Sequence, residues 1–181
     1  MGPAFRAHDP RWSFSPLSGS GAALYGGRFN RRGRPALYLS LQIITAIKEI
    51  SHGFAHKIDP CVLCEYEVDC APIADLVTDE ARARMQVQLV ELNGGWFEQS
   101  ASGEEPASWL LSEVMIARGY AGAIVPSFAP GAGGADHNLV LWSWGPELPA
   151  KVRVHDPHKR LPKDQTSWQS RRDEPSASWS G

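Results

Sequence analysis

Residues 61–69 constrain the fold more than any other stretch of this chain. Val62, Cys64, Tyr66 and Val68 alternate with Glu65, Glu67 and Asp69. Successive side chains on a strand point to opposite faces, so this period of two predicts a strand with one face in a core and the other in water. A half-buried strand needs neighbours and a cover, and the rest of the chain has to supply them.

Residues 35–40 form a compact apolar run that predicts a buried strand. Ser40 is placed to cap a following helix by accepting a bond from an unpaired first-turn N–H. That helix is expected to reach about His52, with Ile43, Ile44, Ile47 and Ile50 at helical spacing and Gly53 as its stop. A second helix opens at Thr78-Asp79-Glu80, whose acids suit the helix dipole, and runs through about Leu92 to the Asn93-Gly94-Gly95 stop. Residues 106–118 predict a third, closed by Gly119. Short strands are expected at 123–125, 139–144 and 151–155, with 128–136 a flexible loop. Residues 1–23, rich in Gly, Pro and Ser, read as an irregular arm with one short strand near Phe5. Helices and strands alternate irregularly, which predicts an α+β fold with a compact mixed sheet core and flanking helices. Residues 1–162 are expected to form one domain. Residues 163–181 lose all periodicity and predict a mobile tail.

Composition excludes several function classes. Eighteen Lys and Arg against twenty Asp and Glu leave a net charge of −2, which disfavours a protein built to grip nucleic acid by its phosphates. No apolar run approaches the ~18–20 residues of a membrane span, and no signal peptide precedes the first strand-like segment. Three cysteines make no disulfide scaffold, so a reducing cytoplasm is the expected compartment. Seven Trp, four Tyr and six Phe suit the flat walls of a cleft and the interior of a core equally well.

Several motifs carry less than they promise. Cys61 and Cys64 have the spacing of a zinc pair, but residues three apart on a strand face opposite ways, and no second pair completes four ligands. His52 and His56 stand four apart without the Glu of a metalloprotease helix. No metal is therefore expected. Gly131-Ala132-Gly133-Gly134 lacks the Lys-Ser/Thr of a phosphate-cradling loop, and no nucleophile elbow occurs.

One constellation is more specific. Gly26 and Gly27 precede Arg28, so the backbone can pass close to a ligand while the guanidinium presents a planar fork for phosphate or carboxylate. Tyr38 offers a flat ring on the buried strand. Glu49 lies far from the isoleucine stripe on the helical wheel, with Lys48 and His52, so its carboxylate leaves the core for solvent or a cleft.

In order and spacing these residues resemble the RES-domain proteins, toxins of bacterial type II toxin–antitoxin pairs. The matching features are Arg6, the Gly26-Gly27-Arg28-Phe29-Asn30 turn, Leu37 to Ser40, Glu49 and Pro126-Ser127, across about residues 4–156. Phe29 stands where Trp is common in the family, and the loop after Ser127 is long and Gly-rich. The resemblance implies an ADP-ribosyltransferase-like fold that consumes NAD by breaking its nicotinamide–ribose bond. It implies Glu49 as the carboxylate facing the oxocarbenium-like charge, and Arg28 with Arg6 on the pyrophosphate or adenylate end. Tyr38 would stack on nicotinamide and Ser127 would orient Glu49 or the substrate. It also implies a helix-turn-helix antitoxin covering the cleft, and an ADP-ribose acceptor that is water, phosphate or a host protein. The competing expectation is a non-catalytic module that binds a nucleotide or an ADP-ribosylated partner in the Arg28–Tyr38 pocket.

Overall fold

The structure is a computed structural model and describes residues 2–51 and 59–166. His52, Gly53 and His56, and the expected tail from residue 167 onward, lie outside the described residues. Seven strands form one sheet: β1 (Pro3–His8), β2 (Leu37–Ser40), β3 (Val62–Cys70), β4 (Ile73–Asp75), β5 (Gly122–Pro126), β6 (His137–Leu141) and β7 (Ala150–Val154). Their spatial order is β4-β5-β6-β2-β1-β3-β7. Every neighbouring pair is antiparallel except β4 and β5, so the fold is α+β, as expected. The flanking helices are α1 (Ser20–Tyr25), α2 (Ile43–Ser51), α3 (Asp79–Met85), α4 (Leu89–Asn93), α5 (Trp96–Ala101) and α6 (Ala107–Ala117).

Strand alternation divides the interior into two apolar clusters. Leu37, Leu39, Leu139 and Leu141 pack with Cys64, Tyr66 and Val68 in one. Tyr38 and Val140, between them in sequence, pack with Ala123, Val125, Leu92 and Met115 in the other. The period-two pattern of residues 61–69 is thus β3, with Cys64 a buried core residue. Gly122 is required by close packing: a Cβ there would stand 2.2 Å from the Val140 carbonyl oxygen.

Three expectations need correction, and one is extended. The arm carries the strand expected near Phe5, and as β1 it is an interior strand that pairs with β3 over six positions. Arg6 and His8 break its apolar pattern, yet both have partners. His8 Nε2 lies 2.5 Å from the Tyr66 hydroxyl, and Arg6 donates to the Ser18 carbonyl at 3.4 Å. The helix expected at 78–92 is two helices, broken where Gln86 takes a left-handed φ of 59° and turns Val87 into the core. Thr78 does cap the first of them, accepting from the Ala81 N–H. Ser40 does not cap α2; its hydroxyl donates to Asn138. The isoleucine stripe faces inward only in part: Ile47 and Ile50 are half-buried, Ile43 and Ile44 are exposed, and the residues α2 buries are Thr45 and Ala46.

The sheet is least regular at its centre, and that irregularity makes the cleft. β1 and β2 share one paired position, Phe5 with Ser40. Arg6 and Tyr38 lie on the same side of that pair, where the register lapses, and both border the opening.

His8 gives the fold a measurable pH dependence. Burial, then the charge of Arg6, pushes its pKa down to about 4. The unfolded chain takes up a proton near 6.5 that the folded chain refuses, so this group's contribution is intact above 6.5 and lost as the pH falls toward 4. Between pH 7.5 and pH 5 the loss should be about 2 kcal/mol. Denaturant titrations of the wild type and His8→Gln at the two pH values should show a smaller drop in the variant.

Candidate active site

The 26–30 turn is a backbone held by side chains. The Gly27 and Asn30 main chains bond each other, closing the turn. The Trp109 indole N–H donates to the Gly27 carbonyl at 2.7 Å, the Ser108 hydroxyl to that of Arg28 at 2.6 Å, and the Trp142 indole N–H to that of Phe29 at 2.8 Å. The Tyr38 hydroxyl accepts from the Phe29 N–H at 2.9 Å and donates to Asn30 Oδ1 at 2.8 Å. Asn30 is 1% exposed, and its Nδ2 donates to the carbonyls of Ala22, Arg31 and Arg34. Gly27 has no alternative here, because a Cβ would sit 2.6 Å from the Tyr38 oxygen. Arg34 and Arg31 tie the end of the turn to Glu113 of α6, and Arg31 also pairs with Glu105.

This scaffold aims Arg28 into a cleft of about 540 Å³, within the ~300–1,000 Å³ typical of small-molecule sites. One guanidinium nitrogen donates to the carbonyls of Gly94 (2.7 Å) and Leu92 (3.3 Å) at the end of α4. The guanidinium carbon lies 4.8 Å from the Phe128 ring centroid, a cation–π contact worth about 0.5–2 kcal/mol. Burial lowers the Arg28 pKa, and the nearby Glu49 carboxylate opposes that shift. Arg6, also lowered by burial, reaches the same cleft from β1.

Glu49 stands on the last turn of α2, exposed to solvent and lining the cleft. Its Oε1 accepts from the Ser127 hydroxyl at 2.6 Å and from Asn138 Nδ2 at 2.5 Å. Oε2 accepts no hydrogen bond among the described residues. A second lobe of about 240 Å³ opens beneath α2, with apolar walls that include Phe5, Leu39 and Ile50. Arg6, Tyr38, Glu49 and Asn138 border both lobes.

Of the five site residues expected from sequence, Arg6, Arg28, Tyr38 and Glu49 line one cleft, and Ser127 stands behind it, joined to Glu49 by its hydroxyl. Two details differ. The Tyr38 hydroxyl is fully occupied in the turn, and burial raises its pKa, so only its ring is available to a ligand. The 128–136 loop is anchored: Asp136 accepts from Thr45 (2.6 Å), Lys48 (2.8 Å) and the Gly133 N–H (2.7 Å). Those partners hold the Asp136 carboxyl well below the usual carboxylate range, with the Gly133 N–H the largest contributor. Sequence reasoning missed the role of Asn138. The available signal was a lone amide at the head of the apolar run Leu139-Val140-Leu141, since a polar side chain entering a central strand needs a partner. Three free cysteines are present, and no group of metal-binding side chains occurs among the described residues.

Fold and cleft together define an α+β domain in which a carboxylate and two arginines face one pocket. That domain belongs to the RES domain family, whose model matches residues 3–164. The chain is similar to the protein named Toxin Res from Photorhabdus laumondii subsp. laumondii, 29% identical over 108 residues that span 54% of this chain and 67% of that one. Its fold is similar to that in the crystal structure of the M. tuberculosis MbcT–MbcA toxin–antitoxin complex. The TM-score there is 0.57, with 17% identity over 86% of this chain and 81% of that chain. No helix among the described residues is long and apolar enough to cross a membrane.

Asn30 should be hard to replace. Asn30→Asp keeps the shape but removes the Nδ2 donor from three part-buried carbonyls and places a charge there. The expected cost is about 2–4 kcal/mol, read as a lowered denaturation midpoint, whereas Trp142→Phe, which deletes one N–H, should cost about 1 kcal/mol.

Proposed function

We propose that this protein is the toxin of a toxin–antitoxin pair and that it cleaves the nicotinamide–ribose bond of NAD. The observation that carries the chemistry is the Glu49 carboxylate, with one oxygen held by two donors, on the wall of a cleft that also presents Arg28 and Arg6. Nicotinamide in NAD is already a cationic leaving group, so its departure needs little proton transfer. The transition state gathers positive charge at the ribose, as in glycoside hydrolysis. A fixed carboxylate stabilises that charge most when it does not have to reorganise as the charge appears. Two arginines suit the pyrophosphate and adenylate end, because guanidinium forks form charge-assisted bonds to phosphate oxygens. The Tyr38 ring, with its hydroxyl tied back, leaves a flat face for the nicotinamide ring. No metal is needed for any of these steps.

Incubation of purified protein with NAD and measurement of nicotinamide release tests the reading. Glu49→Gln should lower kcat by about 100-fold or more, and Arg28→Ala should chiefly raise KM by removing a phosphate contact. NAD that raises the melting temperature without nicotinamide release would support the binding-module alternative and overturn the enzymatic one.

The partner we propose is a small helical antitoxin with a helix-turn-helix region that covers the cleft. Exposed apolar side chains beside the pocket support this: Tyr25, which lines the cleft, is 71% exposed, its neighbour Leu24 65%, and Phe97, next to the cleft residue Trp96, 64%. The ADP-ribose acceptor is a host protein, water or phosphate. Labelled NAD added to lysate separates these outcomes: a discrete labelled band indicates transfer to protein, and free ADP-ribose or its phosphate indicates NAD degradation.

A further inference from the structure

We infer that Asn138 is a positioning residue for Glu49, and that Ser40 sets the direction in which the Asn138 amide points. The inference rests on the function proposed above for its consequence, though not for its geometry.

The orientation of the amide follows from chemistry. An ionised carboxylate can only accept hydrogen bonds, so the side of Asn138 lying 2.5 Å from Glu49 Oε1 must be its NH2 group. The opposite side, Oδ1, then faces Ser40, whose hydroxyl donates to it at 2.8 Å. Ser40 is 4% exposed, which keeps that hydroxyl committed to the protein. A chain of donors therefore runs from Ser40 through Asn138 to Glu49, and Ser127 closes on the same oxygen at 2.6 Å.

The backbone that carries this chain is held from both sides. Asn138 pairs with Ser40 of β2 on one side and with Val125 of β5 on the other, so its Cα is fixed by two ladders. Glu49, by contrast, has three rotatable bonds on an exposed turn of α2. Left alone it would sample solvent. Two donors on Oε1 restrict the carboxylate to one orientation at the cleft wall. The strand fixes the acid, not the helix that bears it. A purely structural amide would stitch β2 to β6 equally well through Ser40 alone and would have no need to meet the carboxylate.

The test measures nicotinamide release by the wild type, Asn138→Ala, Asn138→Asp and Ser40→Ala from about pH 5 to about pH 8. Asn138→Ala should lower kcat by about 10- to 100-fold with little change in KM, as expected when an acid is misplaced while the groups that bind substrate stay intact. Asn138→Asp is the decisive variant. Near neutral pH it sets one carboxylate against another and should be the least active. As the pH falls, a proton shared between the two rebuilds an O–H donor to Glu49, and activity should recover while that of the wild type does not. Ser40→Ala should fall between wild type and Asn138→Ala. Wild-type kcat in Asn138→Ala, or a pH profile for Asn138→Asp parallel to that of the wild type, would overturn the inference. A second readout needs no turnover. In NMR spectra the Asn138 side-chain amide protons should exchange slowly and resonate downfield in the wild type, and lose both properties in Glu49→Ala. An unchanged amide signal in Glu49→Ala overturns the inference. No nicotinamide release by a wild type that shows the signal overturns the NAD reading and leaves the positioning geometry supported.

Discussion

The hydrogen bonds that seize the 26–30 turn hold this cleft together. Glycines give a turn its freedom, and freedom is useless to a site that must present a charged fork at one place. Here the freedom is removed by other elements: α6 supplies Trp109 and Ser108, β2 supplies Tyr38, and the residue after β6 supplies Trp142. These segments pack into or beside the apolar cluster that contains Phe29 and Met115. The cluster and the turn are therefore held by the same residues. The arrangement also accounts for part of the tryptophan excess. Of the five tryptophans among the described residues, Trp109 and Trp142 brace the turn, and Trp144 donates to the Leu17 carbonyl at 2.9 Å, so three are used for their N–H as well as their rings.

A second constraint is the lapse of pairing between β1 and β2. A continuous ladder would close the sheet where Arg6 and Tyr38 now border a cleft. The strands instead separate after the Phe5–Ser40 pair, and the polar groups exposed by the parting are answered from outside the ladder. Half-buried Arg6 bonds the Ser18 carbonyl, and His8 meets the Tyr66 hydroxyl, which itself donates to the Pro16 carbonyl at 3.0 Å. The 10–20 segment, whose prolines and serines look featureless in sequence, thus supplies acceptors to polar side chains of the sheet.

The legibility of the chain followed how locally each property is encoded. β3 was plain, because alternation is written residue by residue. The proposed site residues are named through the family resemblance; the structure places Arg6, Arg28, Tyr38 and Glu49 on one cleft, with Ser127 bonded to Glu49. What stayed hidden depends on distant partners. The interior position of β1, unlike the strand itself, depends on β3, about sixty residues away, rather than on an apolar pattern of its own. The break at Gln86 has no glycine or proline to announce it, and the burial of Val87 and Leu92 overrides the helical propensity around it. The isoleucine stripe is offset from the buried face of α2 for a related reason: Thr45 has a buried acceptor in Asp136 and Ala46 fits the close approach to the sheet, so Ile47 and Ile50 are only half-buried.

That buried contact shows why the 128–136 loop and α2 act as one unit. Asp136 receives Thr45 and Lys48 from α2 and the Gly133 N–H from the loop, and its own carbonyl accepts the Ser127 N–H at 2.8 Å. Ser127 in turn bonds Glu49. The loop thus meets α2 at both of its ends, and its glycines span between two fixed points instead of hanging from one. Phe128, at the first of these points, lies against Arg28. A displacement of the loop would therefore be felt at both the carboxylate and the guanidinium. The apolar rim and the charged interior of the cleft are coupled through covalent neighbours: Ser127 beside Phe128 on one wall, Tyr25 beside the 26–30 turn on the other. Any macromolecule seated on that rim would press on the same short segments that set the geometry of Glu49 and Arg28.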